Sequence, residues 1–118
     1  QTLLDFGSVD IVQPGSNRVG ITESDRLARY AASKNRQLVP YVFVATLMAA
    51  YANIHVASAN NNVPYVEMAP PALYPGFPLR DDLGSPEPAM RDGAFDPLAA
   101  PGLGVEVDED VIAAYRVK

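Results

Sequence analysis

The chain is 118 residues long, 48% hydrophobic, lacks cysteine and carries a formal net charge of −5. That length supports one modest core, and the missing cysteine excludes disulfides, thiolate metal sites and a cysteine nucleophile. An acidic balance with no basic run argues against a nucleic-acid or anionic-membrane partner, either of which would need a Lys/Arg-rich face.

The chain starts at Gln1 with no charged leader, so neither a native start nor a signal peptide is evident; a fragment or processed chain in a cytoplasmic setting is the expectation. Residues Gln1 to Phe6 are expected to form the last turn of a helix. Val9 to Gln13, bounded by Gly7-Ser8 and Pro14-Gly15, predicts a short buried strand followed by a turn. From Thr22 the spacing becomes helical: Leu27, Ala28, Ala31 and Ala32 form an inward stripe, while Glu23, Arg26, Arg29 and Ser33 can face water. Thr22 with Asp25 supplies a capping signal, and Asp25 with Arg29 a helix ion pair.

Leu38 to Val44 predicts a second strand, and Ala45 to Ala59 a second helix that is apolar almost all round and must be covered on several sides. The apolar stretch Leu38 to Ala52 contains Pro40 and Thr46 and falls short of the roughly 18 uninterrupted residues that a membrane span requires. Val63 to Met68 predicts a third strand, with Pro64 tolerable at its start. Strands that begin about 25–30 residues apart fit right-handed βαβ units, so the three should run parallel with helices packed outside. Three parallel strands alone leave two edges and an apolar face open, and something else should cover them. The prolines crowd between Pro70 and Pro101, and no periodicity returns until the short strand Gly102 to Val107. A final helical turn, Asp108 to Tyr115, is capped by Asp108.

Four segments, taken together, resemble the end of a mandelate racemase and muconate lactonizing barrel of the enolase superfamily. VDIVQPGSNRVGITES, residues 9 to 24, resembles the sixth barrel strand and the start of its helix. QLVPYVFVATLMAA, residues 37 to 50, resembles the seventh strand and its helix, and VPYVEMAPP, residues 63 to 71, the eighth strand. MRDGAFDPLAAPGLGVEVDEDVIAAYRV, residues 90 to 117, resembles the closing segment that joins the capping domain. The resemblance implies an α/β fold, with residues 1–72 forming the last third of a (β/α)8 barrel, strands six to eight with helices, and 73–118 a loop-rich segment of the capping region. It further implies a parent enzyme that acts on a small carboxylate by metal-assisted proton abstraction alpha to the carboxylate, with acid-sugar dehydration favoured. Magnesium is expected for the full-length parent and not for this chain, because the superfamily's metal carboxylates lie on strands three to five. The chain alone is expected to be inactive and to need the missing N-terminal part of the barrel or self-association to cover its open faces.

Active sites of such barrels lie at the C-terminal strand ends, which makes Gly15, Tyr41 and Glu67 the candidates. Many members carry an Asp at the position of Gly15 and a His at that of Tyr41. A phenol with a pKa near 10 is a poor base and a better acid or hydrogen-bond donor, so the usual dyad is absent. Three consequences stay open: abstraction by a lysine on another strand, a one-base dehydration assisted by Tyr41, or no enolization, leaving a non-catalytic, barrel-derived binding or structural protein. Gly15 and Tyr41 are expected to line the substrate pocket, with Tyr41 alternatively a plain aromatic at the barrel mouth. Glu67 resembles the eighth-strand acid and would donate to a developing oxyanion when protonated; the alternative is a salt bridge at a strand end. His55 falls mid-helix, far from the strand ends, Asn60 to Asn62 read as turn residues, and Gly102-Leu103-Gly104 as a turn rather than a phosphate loop. Asp81, Asp82, Glu106, Asp108, Glu109 and Asp110 follow no calcium-loop pattern and are expected to be a solvated acidic surface.

Overall fold

The computed structural model describes residues 2–42, 46–69, 80 and 82–117. In chain order these form α1 (Thr2–Asp5), β1 (Ile11–Val12), α2 (Ser16–Val19), α3 (Ile21–Ser33), β2 (Gln37–Leu38), α4 (Leu47–Ser58), β3 (Gly84–Ser85), β4 (Met90–Arg91), β5 (Ala94–Phe95), β6 (Glu106–Val107) and α5 (Glu109–Ala114).

β1 and β2 pair in parallel, with Ile11 opposite Gln37 and Val12 opposite Leu38. Their hydrogen bonding runs past the regular strand: the amides of Gln37, Val39 and Tyr41 donate to the carbonyls of Asp10, Val12 and Pro14 at 3.1, 2.9 and 3.0 Å. Alternate residues of such a strand face opposite sides. Val12, Leu38 and Val63 turn toward the helices and share a core with Ala28 and Leu27 of α3 and Ala57 of α4. Ile11, on the other side, is 48% exposed.

The third expected strand, Val63 to Met68, is not a ladder strand. It lies beside β2 and is bonded at two points, Leu38 N–H to Asn62 O and Glu67 N–H to Pro40 O, both 3.1 Å. In the register of the first bond the Leu38 carbonyl would receive the amide of residue 64, and residue 40 would donate to the carbonyl of residue 64; the second bond lies one residue out of that register. Positions 40 and 64 are both proline, which has no N–H to give. The second strand is shorter than expected because on the β1 side the Val39 carbonyl would receive the amide of residue 14, also a proline; residues 43 and 44 lie outside the described residues.

The first long helix begins one residue before Thr22, and its N-cap is Gly20, with no side-chain capping bond. Gly20 has φ +81 and open space around its Cα, a left-handed conformation that turns the chain directly from α2 into α3. Thr22 is therefore inside the helix rather than at its cap. The stripe also differs: Ala28 and Ala31 are buried as expected, Ala32 is exposed, and Ser24 is buried. Ser24 goes under because α2 packs over that end of the helix and the Ser16 hydroxyl lies 3.1 Å from that of Ser24. The Asp25–Arg29 ion pair forms, at 2.8 Å.

α4 is covered on two sides, as its all-round apolar character requires. One side meets the strand core; the other, through Leu47, Tyr51 and Ile54, meets Leu83, Phe95, Leu98, Leu103, Val105 and Val111 of the C-terminal half. Burying Ile54 and Val56 completely stabilises this arrangement by about 1.5–3 kcal/mol each. The C-terminal half holds two small antiparallel pairings, β3 with β6 and β4 with β5. The β4–β5 hairpin turns on Asp92 and Gly93, with φ +50 and +80, a two-residue turn that suits the strand twist. Asp108 caps α5 as expected, accepting from the amides of Asp110 and Val111 at 3.0 and 3.1 Å.

Candidate functional site

The parallel bonding between residues 10–14 and 37–41 delivers two chain segments to one end of the sheet, where both turn away toward helices. Gly15 sits at the first of these ends. It is buried, with an ordinary extended backbone (φ −103, ψ 126), so it is not required for its conformation. It is required for space: a Cβ there would lie 3.0 Å from the Tyr41 carbonyl oxygen and 2.5 Å from Asn17 Oδ1. Tyr41 sits at the second end, half-buried, its amide on Pro14 O. Glu67 reaches the same end, because its amide bonds the carbonyl of Pro40, the residue before Tyr41. All three residues singled out from the sequence thus share one edge of the molecule.

Two further residues belong to this edge. Gln13 Nε2 donates to Glu67 Oε2 at 3.3 Å, linking the first segment to the third across β2. Asn53, fully buried on α4, accepts from the Ser16 amide through Oδ1 at 3.0 Å and donates from Nδ2 to the Tyr41 carbonyl at 3.2 Å. The sequence held a signal for Asn53: an amide set in a helix that is otherwise apolar all round must find partners, since buried polar groups are nearly always bonded. Gln13 was open to the same logic through strand alternation, which places it beside Ile11 on the face turned away from the helices.

The remaining polar residues serve the scaffold. His55 Nε2 lies 3.2 Å from the Leu103 carbonyl and ties α4 to the C-terminal half. Asn60 Nδ2 donates to Asp25 Oδ1 and to the Val56 carbonyl, both at 2.9 Å, and Asn62 Nδ2 donates to the carbonyls of Ala28 and Arg36 at 2.9 and 3.1 Å. These two side chains hold the turn between α4 and the third segment. Arg29, and after it Asn60, hold the Asp25 carboxyl below its ordinary range. Asp82, Glu106, Asp108, Glu109 and Asp110 are exposed; Asp81 lies outside the described residues. Among the described residues no group of three or more His, Asp or Glu could hold a metal ion, and no helix is long and apolar enough to cross a membrane.

Comparison with known proteins agrees with this α/β architecture. The family model for enolase C-terminal domain-like proteins matches residues 1–111. A D-galactonate dehydratase of Cronobacter sakazakii is 33% identical over 115 residues, which is 95% of this chain and 30% of that protein. The structure of 3,6-anhydro-D-galactonate cycloisomerase from Zobellia galactanivorans superposes with a TM-score of 0.80 at 30% identity, over 99% of this chain and 32% of that one. A mandelate racemase/muconate lactonizing enzyme from Sulfitobacter sp. gives 0.79 at 32% identity, over 96% of this chain and 27% of that one. The chain therefore spans about 30% of the length of the relatives it matches.

Proposed function

This chain belongs to the enolase C-terminal domain-like family, of the mandelate racemase/muconate lactonizing type, and we propose that it forms strands six to eight of a (β/α)8 barrel in a larger enzyme that dehydrates an acid sugar. Residues 1–72 would be the barrel part and 73–118 the part that meets a capping region. The observation that carries the reading is the convergence of Gly15, Tyr41 and Glu67 at the C-terminal end of a parallel unit, where barrel chemistry takes place. The likeness to a D-galactonate dehydratase supports the choice of substrate class.

Dehydration of a sugar acid removes the proton alpha to the carboxylate and expels the neighbouring hydroxyl as water; the resulting enol becomes a 2-keto-3-deoxy acid. Glu67 is assigned the developing oxyanion. A protonated carboxyl can donate to that oxygen, whereas an ionised one would repel an acid substrate. The Gln13 amide holds one oxygen of this carboxyl and so sets its orientation. Tyr41 is assigned as the acid that hydrogen-bonds the departing hydroxyl and gives it the proton with which it leaves as water, a task suited to a phenol, and the base that takes the alpha proton is assigned to a residue outside this chain. The magnesium that the resemblance implies is assigned outside this chain, to the strands where the resemblance places its carboxylates, and no step above runs through it. On this reading the chain alone is inactive.

The test is a screen of the full-length protein against a panel of sugar acids that includes D-galactonate, read by the appearance of 2-keto acid. Turnover should fall on the order of 10²-fold or more in Glu67→Gln, with folding intact by circular dichroism. Failure to turn over any acid, or undiminished turnover in Glu67→Gln, would overturn the assignment. No turnover, with Gly15 and Tyr41 standing in place of the Asp–His pair, would favour a non-catalytic binding or structural protein built on the same fold.

A further inference from the structure

We infer that Asn53 is a positioning residue that locks the turn after β1 to the segment after β2 and thereby sets the separation of Gly15 and Tyr41. The inference rests on the reading of these strand ends as part of the site. Asn53 is completely buried, and neither of its two bonds reported above lies within its own helix. The orientation of its amide follows from its partners, since the Ser16 N–H can meet only the oxygen and the Tyr41 carbonyl only the NH₂.

Packing alone does not account for an amide here. Asn is a poorer helix former than Ala or Leu, and burying it is costly unless both ends are bonded. The neighbouring positions of α4, Ala52 and Ile54, are apolar and also buried. What the side chain achieves is a bridge over 37 residues of sequence to one strand end and over 12 to the other. The Tyr41 carbonyl is held from two directions: the Asn53 amide pulls on it, and the bare Cα of Gly15 leaves room for it, because a Cβ would come to 3.0 Å of that oxygen. Gly15 and Asn53 therefore act as a pair that sets how near the two ends approach.

The experiment uses the full-length protein and two substitutions. Asn53→Leu keeps the approximate volume and removes both bonds; Ile54→Val trims the same helix without touching the strand ends. With the sugar acid that the wild type turns over, Asn53→Leu should lower kcat about tenfold or more with KM changed less than about threefold, because displaced groups misalign the reacting atoms. Ile54→Val should leave kcat at the wild-type level. Independently of activity, hydrogen exchange at the Ser16 amide should accelerate about tenfold or more in Asn53→Leu and not in Ile54→Val. An unchanged kcat in Asn53→Leu, equal loss of kcat in both variants, or unchanged Ser16 exchange would each overturn the inference. If the wild type turns over no sugar acid, the proposed function fails, and Ser16 exchange alone then decides whether Asn53 forms the lock.

Discussion

Placing a side chain at position 15 tests how closely the two strand ends are packed. Gly15→Ala carries no backbone cost, because φ −103 and ψ 126 suit any residue. Its cost is steric. The new Cβ would sit 2.5 Å from Asn17 Oδ1, which lies on an exposed side chain and can rotate away. It would also sit 3.0 Å from the Tyr41 carbonyl, a few tenths of an ångström inside ordinary contact, and that carbonyl is held by Asn53. Overpacking of this kind costs about 1–3 kcal/mol, while Gly→Ala recovers about 0.4–1 kcal/mol from the unfolded chain. The net expectation from is a loss of about 1 kcal/mol, read as a lower urea midpoint at unchanged slope. Gly15→Asp must fit more atoms into the same gap, so it should lose more. Combining it with Tyr41→His should not yield a working Asp–His pair. Gly15→Ala at or above wild-type stability, or an undestabilised Gly15→Asp/Tyr41→His double variant, would refute the reasoning.

Leu38 is fully buried, and two of its core neighbours, Ala28 and Ala57, are too small to refill a vacated space, so Leu38→Ala should cost about 3–4 kcal/mol by urea unfolding; a loss under about 1 kcal/mol would show that the site collapses freely. Asp5, Glu23 and Asp25 have carboxyl pKa values held below the ordinary range, by Tyr30 and Lys34, by Arg26, and by Arg29 and Asn60 respectively. Depressed folded values mean that the unfolded chain takes up protons first, so stability is present above the usual values of 4.5 for Glu and 3.8 for Asp and is lost as the pH falls below them. Urea midpoints measured from pH 7 down to pH 3 should fall, and less steeply in Asp25→Asn, where one of these groups is gone. Replacing His55 by leucine removes the contact with the Leu103 carbonyl, and limited proteolysis should then cut faster around residues 98–105.

How far the fold was legible depended on what each residue had to satisfy locally. The helical stripe of Ala28 and Ala31 and the cap at Asp108 follow from periodicity and one side chain, and the structure shows them. α2 does not show in the sequence because its four residues, Ser16 to Val19, carry no periodicity and are stabilised by contacts with α3 and α4 that sequence does not display. The burial of Ser24 does not show in the sequence for the same reason, since α2 is the element that covers it. The β4–β5 hairpin had a readable signal in Asp92-Gly93, overshadowed by the prolines around it. At the candidate site the strand-end positions Gly15, Tyr41 and Glu67 were legible from the resemblance, while for Gln13 and Asn53 the sequence signals only that each needs a partner, not which one. Their importance lies in partners 54 residues away for Gln13, and 37 and 12 for Asn53, distances over which pattern reading has no grip.

The prolines that break the third strand also divide the site into a fixed part and an adjustable one. Tyr41 is held through its amide by Pro14, through its carbonyl by Asn53, and sterically by Gly15. Among the described residues Glu67 has one backbone bond to its neighbouring strand, to the Pro40 carbonyl, because Pro40 and Pro64 remove the ladder bonds that would otherwise precede it. Among the same residues its side chain is tied by the Gln13 amide, at a longish 3.3 Å. A carboxyl held this way can shift with a bound acid, whereas the Tyr41 backbone, from which the phenol extends, is tied to helix α4. If Glu67 meets the oxyanion and Tyr41 the leaving hydroxyl, the group that must follow changing charge is the one whose segment the chain leaves adjustable, and the group that must define position is the one whose backbone it clamps.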